Sequence, residues 1–285
     1  MSRIAYVNGR YLPLAQAAVS IEDRGYQFAD GVYEVCEVRG GLLVDERRHM
    51  ARLDRSLREI HMARPMSAAA LSVVLHETVR RNRVHDGIVY LQITRGVARR
   101  DFAFPPVDTP PSVVVSARSN DRARLAQLAA DGIAVTTVPD VRWQRVDIKS
   151  VALLPNVLAK QAAREQGARE AWLVDAQGRV TEGASSNAWI VSRDGKLITR
   201  SLGNDILAGI TRSVVIDVVK AQGLAFEERA FSVEEAYTAR EAFVTSASQI
   251  VLPVVSIDGR PVGNGAPGLI ATALRRDYHR HAELT

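Results

Sequence analysis

A chain of 285 residues, 47% hydrophobic and 24% charged, has the composition of a globular protein at the size where one core gives way to two. Its net charge of +5 is spread among acids along the whole length, which argues against a nucleic-acid partner, and no run approaches the ~20 apolar residues that cross a bilayer. The single cysteine, Cys36, excludes an intrachain disulfide, and MSRIAYVNGRYLPL lacks the apolar stretch of a signal peptide, so a cytoplasmic protein with no membrane partner is expected.

Short strands and turns are expected over the first 40 residues, with hairpin turns at Asn8-Gly9 and Gly40-Gly41. Met50, Leu53, Leu57 and Ile60 keep a 3-4-3 spacing, which predicts a helix near 45–61. On that helix Arg52 falls opposite the stripe and reads as solvated. A second helix is predicted over 67–83, with Ser67 as N-cap. GIVYLQITRG and SVVVSAR read as strands, and the proline-rich AFPPVDTPPS between them as a stiff loop. The polar 119–131 stretch reads as a linker between a smaller N-terminal α/β domain, 1–118, and a larger C-terminal domain, 132–285. IAVTTVPD is a strand leading to DIKSVALL, after which Pro155 opens a helix to about Gly167. Two hairpins follow, EAWLVDAQGRVTEG and SNAWIVSRDGKLITR, then a helix over about 208–222 ended by Gly223. Strands over 243–262 and a final helix complete an α+β or mixed α/β chain.

Several motifs carry no chemistry. GNGAPG at 263–268 has the spacing of a dinucleotide loop but leaves no room for the strand–helix unit it would need, so it is a turn. The six histidines form no metal-ligand pattern, and no G-x-S-x-G or P-loop sequence exists. The lysines are more informative. Of 37 basic residues only Lys149, Lys160, Lys196 and Lys220 are lysine, and lysine, unlike arginine, can lose its proton and attack a carbonyl. Lys160 falls on a polar helix side, Lys196 in a hairpin turn and Lys220 in a last helical turn. Lys149 stands at a strand end before Val151-Ala152-Leu153-Leu154, where an amine needs a partner or a task. GRVTEGASSN sets the carboxylate of Glu182 among small residues. LAGITRS puts Gly209, Ile210 and Thr211 at a helix start, where free amides bind anions. Amine, carboxylate and phosphate cup together suit an aldehyde cofactor with a basic ring nitrogen and a phosphate, pyridoxal 5'-phosphate.

Six stretches then carry a resemblance: EDRGYQFADGVYEV, ITRGVARRDFAFP, RWQRVDIKSVALLPNVLAKQ, VTEGASSN, ILAGITR and FVTSAS. The chain resembles the fold-type IV pyridoxal-phosphate transaminases, most of all those acting on D-amino acids. The resemblance implies a two-domain fold with the cofactor between the domains, and a homodimer using amino-acid and 2-oxo-acid substrates. It implies that Lys149 bonds the cofactor aldehyde and moves a proton, and that Glu182 keeps the pyridine nitrogen protonated. It places Arg52, Ile210, Thr211 and Ser246 at the phosphate and Leu207 against the ring. It makes Tyr33 and Arg100 two members of a trap for the substrate carboxylate; the third, usually histidine, is here Phe102. Ala247 stands where near relatives have threonine. Branched-chain transaminases, (R)-amine transaminases and aminodeoxychorismate lyase share the same core, and a non-catalytic cofactor- or RNA-binding protein is the rival of another class. The Tyr33–Arg100 pairing favours a D-alanine or D-glutamate transaminase working by ping-pong transfer.

Overall fold

A computed structural model describes residues 3–285, and Met1 and Ser2 of the N-terminal stretch lie outside them. The chain divides into two compact units. The first reaches to Asp121 and takes in Ile148–Ala152 and Glu283–Thr285; the second holds Arg122–Asp147 and Leu153–Ala282.

The first unit contains β1 (Ile4–Val7), β2 (Arg10–Pro13), α1 (Arg24–Phe28), β3 (Gly31–Arg39), β4 (Leu42–Leu43), α2 (Glu46–Glu59), α3 (Ala68–Arg81), β5 (Gly87–Thr94) and β6 (Ser112–Ser119). Its strands form one antiparallel sheet in the order β2-β1-β6-β5-β3-β4. Both expected tight hairpins are present. Asn8 and Gly9 link the paired Val7 and Arg10, and Gly40 and Gly41 link Arg39 and Leu42. All four turn residues have positive φ, as a two-residue turn matched to the strand twist requires. Leu53 and Leu57 of α2 and Leu71, Leu75 and Val79 of α3 pack on Val32, Cys36, Val89, Leu91 and Val115 to form the core. Ser67 caps α3 through the Ala70 amide.

The second unit contains α4 (Arg122–Asp131), β7 (Ile133–Pro139), α5 (Leu154–Glu165), β8 (Glu170–Val174), β9 (Arg179–Gly183), β10 (Asn187–Val191), β11 (Leu197–Thr199), α6 (Ile210–Ala221), β12 (Phe226–Glu228), β13 (Phe231–Ser232), α7 (Val233–Tyr237), β14 (Glu241–Ser246), β15 (Ile250–Ile257), β16 (Arg260–Pro261) and α8 (Leu269–His281). The mixed sheet runs β12-β11-β10-β14-β15-β7-β8-β9-β13, with β16 on β15. Trp172, Val180, Ile190, Phe231, Val244 and Leu252 are among its core residues.

Two local expectations change. The 119–131 stretch is not a bare linker: its Leu125, Leu128 and Ala129 share one face, and α4 forms there. Strand β7 ends at Pro139, so Lys149 is not at a strand end. The lysine segment instead joins the first unit as a short bridge. The Tyr33 amide donates to the Lys149 carbonyl at 3.0 Å, and the Val151 amide to the Gly31 carbonyl at 3.0 Å. Among the described residues no helix is long and apolar enough to cross a membrane, and no three His, Cys, Asp or Glu side chains cluster to hold a metal ion.

Candidate active site

In the first unit the site begins with strand alternation. Residues Val32, Glu34, Cys36 and Val38 of β3 point into the core, and Tyr33 points to the opposite face. Tyr33 pairs with Gln92 on β5 and lies 5.8 Å from the ring of Tyr90. The Lys149 ammonium stands 4.1 Å from the centroid of the Tyr33 ring. This is a cation–π contact that fixes the amine without giving it a counter-ion. The lysine backbone is held by Ser56 of α2, whose hydroxyl accepts the Lys149 amide at 3.2 Å. Burial, with the neighbouring Tyr33, pushes the Tyr90 hydroxyl up to about 12, so it stays uncharged at neutral pH.

Glu34 is a carboxylate where the strand pattern calls for an apolar residue. It is 1% exposed. Arg52 grips it through two parallel bonds of 2.8 Å, from Nε and Nη2, and His49 Nδ1 lies 2.7 Å from Oε2. Burial alone would raise the Glu34 carboxyl; the Arg52 charge and the His49 bond outweigh it and hold it at about 2. Arg52 is therefore buried and ion-paired, not solvated. His49, Arg52 and Ser56 follow at i, i+3 and i+7 and line one helix face with Leu53 and Leu57.

In the second unit Glu182 is the inward carboxylate of β9, 4% exposed. Arg142 Nη1 donates to its Oε1 at 2.5 Å. Asn187 Nδ2 and the Leu207 amide donate to its Oε2 at 2.9 and 3.1 Å. Asn187 also donates to the Leu207 carbonyl at 2.9 Å, tying Glu182 to the entry of α6. That helix starts at Ile210 and Thr211, both buried, after an N-cap glycine that supplies no side-chain cap. Gly209 has an ordinary φ of −65°, so flexibility is not its role. A Cβ there would lie 2.0 Å from Asn187 Oδ1, so glycine is required for space. Ser246 ends β14, whose preceding Thr245 pairs with Asn187. The structure thus brings Glu182, Leu207, Ile210 and Thr211 together, with Ser246 one register position away.

Arg100 and Phe102 lie on an exposed loop of the first unit. The Arg100 guanidinium stacks 4.8 Å from the Phe28 ring and 5.8 Å from Phe102, and the two rings are 5.4 Å apart. Phe102 is 82% exposed. The structure does not bring this pair into contact with Tyr33.

Glu34, His49, Asn187 and Arg142 escape a reading of the sequence. A carboxylate in the inward phase of β3 is the signal that could have found Glu34. Nothing local marks Arg142, which follows β7 in a turn.

Residues 31–257 fit the model of the amino-transferase class IV family. The D-alanine aminotransferase of Bacillus licheniformis is 42% identical over 92% of this chain and 90% of its own length. That of Staphylococcus haemolyticus is 39% identical over 98% and 97%. A branched-chain amino acid aminotransferase of T.th., solved with pyridoxamine 5'-phosphate, superposes with a TM-score of 0.89 at 26% identity, covering 98% and 94%. The chain belongs to the class IV aminotransferases. Within that family its full-length sequence kinship is with D-alanine aminotransferases.

Proposed function

We propose that this protein transfers the amino group of D-alanine to a 2-oxo acid with pyridoxal 5'-phosphate. The observation that carries this reading is 42% identity to a D-alanine aminotransferase along 92% of the chain. The residues fit the cofactor: a lysine amine resting on the Tyr33 ring, a buried carboxylate, and a helix start with no side-chain cap. When bound, the cofactor supplies an electron sink for the bonding pair left at the substrate Cα.

Lys149 would hold the cofactor through its amine and, with that amine free, would move the proton at the substrate Cα. Glu182 holds the ring nitrogen protonated through a charge-assisted bond. Arg52 and the amides of Ile210 and Thr211, with Ser246, hold the phosphate, and Leu207 packs on the ring. Tyr33 binds the substrate carboxylate together with Arg100 from the exposed loop of a second copy of the chain in the homodimer, where Phe102 lines that wall without donating. Release of the 2-oxo acid before the second substrate binds gives ping-pong kinetics. We assign a homodimer as well: Tyr26, Phe102, Phe104, Leu154, Val157 and Leu158 are large apolar side chains left 59% or more exposed. Sedimentation at micromolar concentration tests that assignment.

The deciding assay pairs D-alanine and L-alanine, then D-glutamate and L-leucine, with 2-oxo-acid acceptors. D-alanine should be the better donor with 2-oxoglutarate. A preference for L-leucine would instead favour the branched-chain reading, which the shared fold with the branched-chain enzyme of T.th. keeps as the second candidate.

A further inference from the structure

The Asp140–Arg142 pair has no part in the mechanism above, yet it is densely bonded. Asp140 follows β7 and is tied to β8 by its amide, which donates to the Val174 carbonyl at 2.8 Å. Its carboxylate accepts the Arg142 amide at 3.1 Å, Nε at 2.9 Å and Nη2 at 2.7 Å, and the Thr181 hydroxyl at 2.7 Å. Arg142 Nη2 also donates to the Asp205 carbonyl at 3.2 Å. The arginine side chain is 5% exposed. So held, its Nη1 meets Glu182 Oε1 at 2.5 Å, while Asn187 and the Leu207 amide fix Oε2.

We infer that Arg142 is a positioning residue that locks the carboxylate plane of Glu182 for the cofactor's ring nitrogen, with Asp140 neutralising its charge. The inference rests on the proposed cofactor and deepens it. Two physical points support it. A carboxylate gripped at both oxygens needs no reorganisation when a ring N–H approaches, which is where a charged hydrogen bond gains strength. An unpaired guanidinium beside Glu182 would draw its charge away from the ring; the bidentate bond to Asp140 turns Arg142 into a neutral strut. Burial opposes both charges, but the mutual bonds prevail: Asp140 is held below the usual carboxylate range and Arg142 above the usual arginine range.

The test measures binding of two probes to the full-length apoprotein by fluorescence quenching. One probe is pyridoxal 5'-phosphate. The other is its analogue with carbon in place of the ring nitrogen, which keeps the aldehyde and the phosphate but cannot pair with Glu182. Wild type should prefer the true cofactor by about tenfold or more, the worth of one charge-assisted bond. Arg142→Gln should cut that preference by roughly threefold or more while the analogue binds as before. Arg142→Lys keeps the charge and one bond, so it serves if the glutamine variant does not fold, and it should also lower the preference. Asp140→Asn should lower it by exposing Glu182 to an uncompensated cation. Thermal melting confirms that each variant is folded. Should Glu182→Gln abolish the preference while both Arg142 variants leave it unchanged, the positioning role is wrong and the cofactor assignment stands. Should Glu182→Gln leave the preference unchanged, or neither probe bind, the assignment of Glu182 to the ring nitrogen fails and this inference falls with it.

Discussion

The Lys149 ammonium sits 4.1 Å from the centre of the Tyr33 ring, with its backbone carbonyl accepting the amide of that same tyrosine. Two bonds to one strand residue, one through the main chain and one through the ring, hold the amine over a defined spot on β3. Lys160 and Lys196 differ in having carboxylate partners. Lys160 Nζ is 2.9 Å from Glu170, and Lys196 Nζ is 3.4 Å from Glu227.

Borohydride reduction of the yellow protein should therefore fix the cofactor on the peptide containing Lys149. Lys149→Ala should lower turnover by ~10²–10⁴-fold or more, the usual worth of a positioned acid–base group. Tyr33→Leu should loosen the hold on the amine and slow cofactor capture, since a cation–π contact is worth about 0.5–2 kcal/mol. Label recovered on Lys160 or Lys196 would displace Lys149 from the mechanism.

The Glu34–Arg52–His49 cluster makes the protein acid-sensitive in a defined window. Glu34 has its carboxyl depressed to about 2 from 4.5, so its contribution is complete above pH 4.5 and is lost as pH falls toward 2. A shift of that size corresponds to about 3 kcal/mol. His49 is depressed by burial below its usual 6.5, so the unfolded chain takes up that proton first and adds to the loss below pH 6.5. Urea unfolding at pH 7, 5 and 3 should show the decline, and Glu34→Gln should flatten its lower limb. At pH 7 the same variant should lose ~3–5 kcal/mol, because it breaks the buried two-bond pair between Glu34 and Arg52.

Gly209→Ala should separate space from flexibility. The added Cβ must push Asn187 away from its bonds to Glu182 and the Leu207 carbonyl. Overpacking of this kind costs roughly 1–3 kcal/mol, and cofactor affinity should fall in parallel. Unchanged melting temperature and unchanged affinity would show that Asn187 can move without consequence.

Arg100 and Phe102 should govern the response to the substrate carboxylate. Arg100→Ala should lower kcat/KM for D-alanine by about tenfold to over a hundredfold and hardly affect (R)-1-phenylethylamine, which has no carboxylate. Phe102→His should improve D-alanine by restoring a donor. Equal losses on both substrates in Arg100→Ala would remove Arg100 from carboxylate binding.

The chemistry-bearing residue types and most of the elements are legible in the order of amino acids alone. Four lysines among 37 basic residues single out Lys149, the hairpin glycines set two turns, and apolar spacing places α2 and α3. These are local properties, set by φ preference and by a period of 2 or 3.6 residues. Which charges are buried, and against what, is a product of the folded chain. Arg52 meets Glu34 eighteen residues away, and Arg142 meets Glu182 forty residues away. Local periodicity scores a charge by its own helix face and so reads Arg52 as solvated, whereas a guanidinium can be buried when a distant carboxylate accepts both of its bonds. The pairing of Ile148–Ala152 with β3 has the same origin. Its backbone groups find partners at Gly31 and Tyr33, and no pattern within the segment itself could name them.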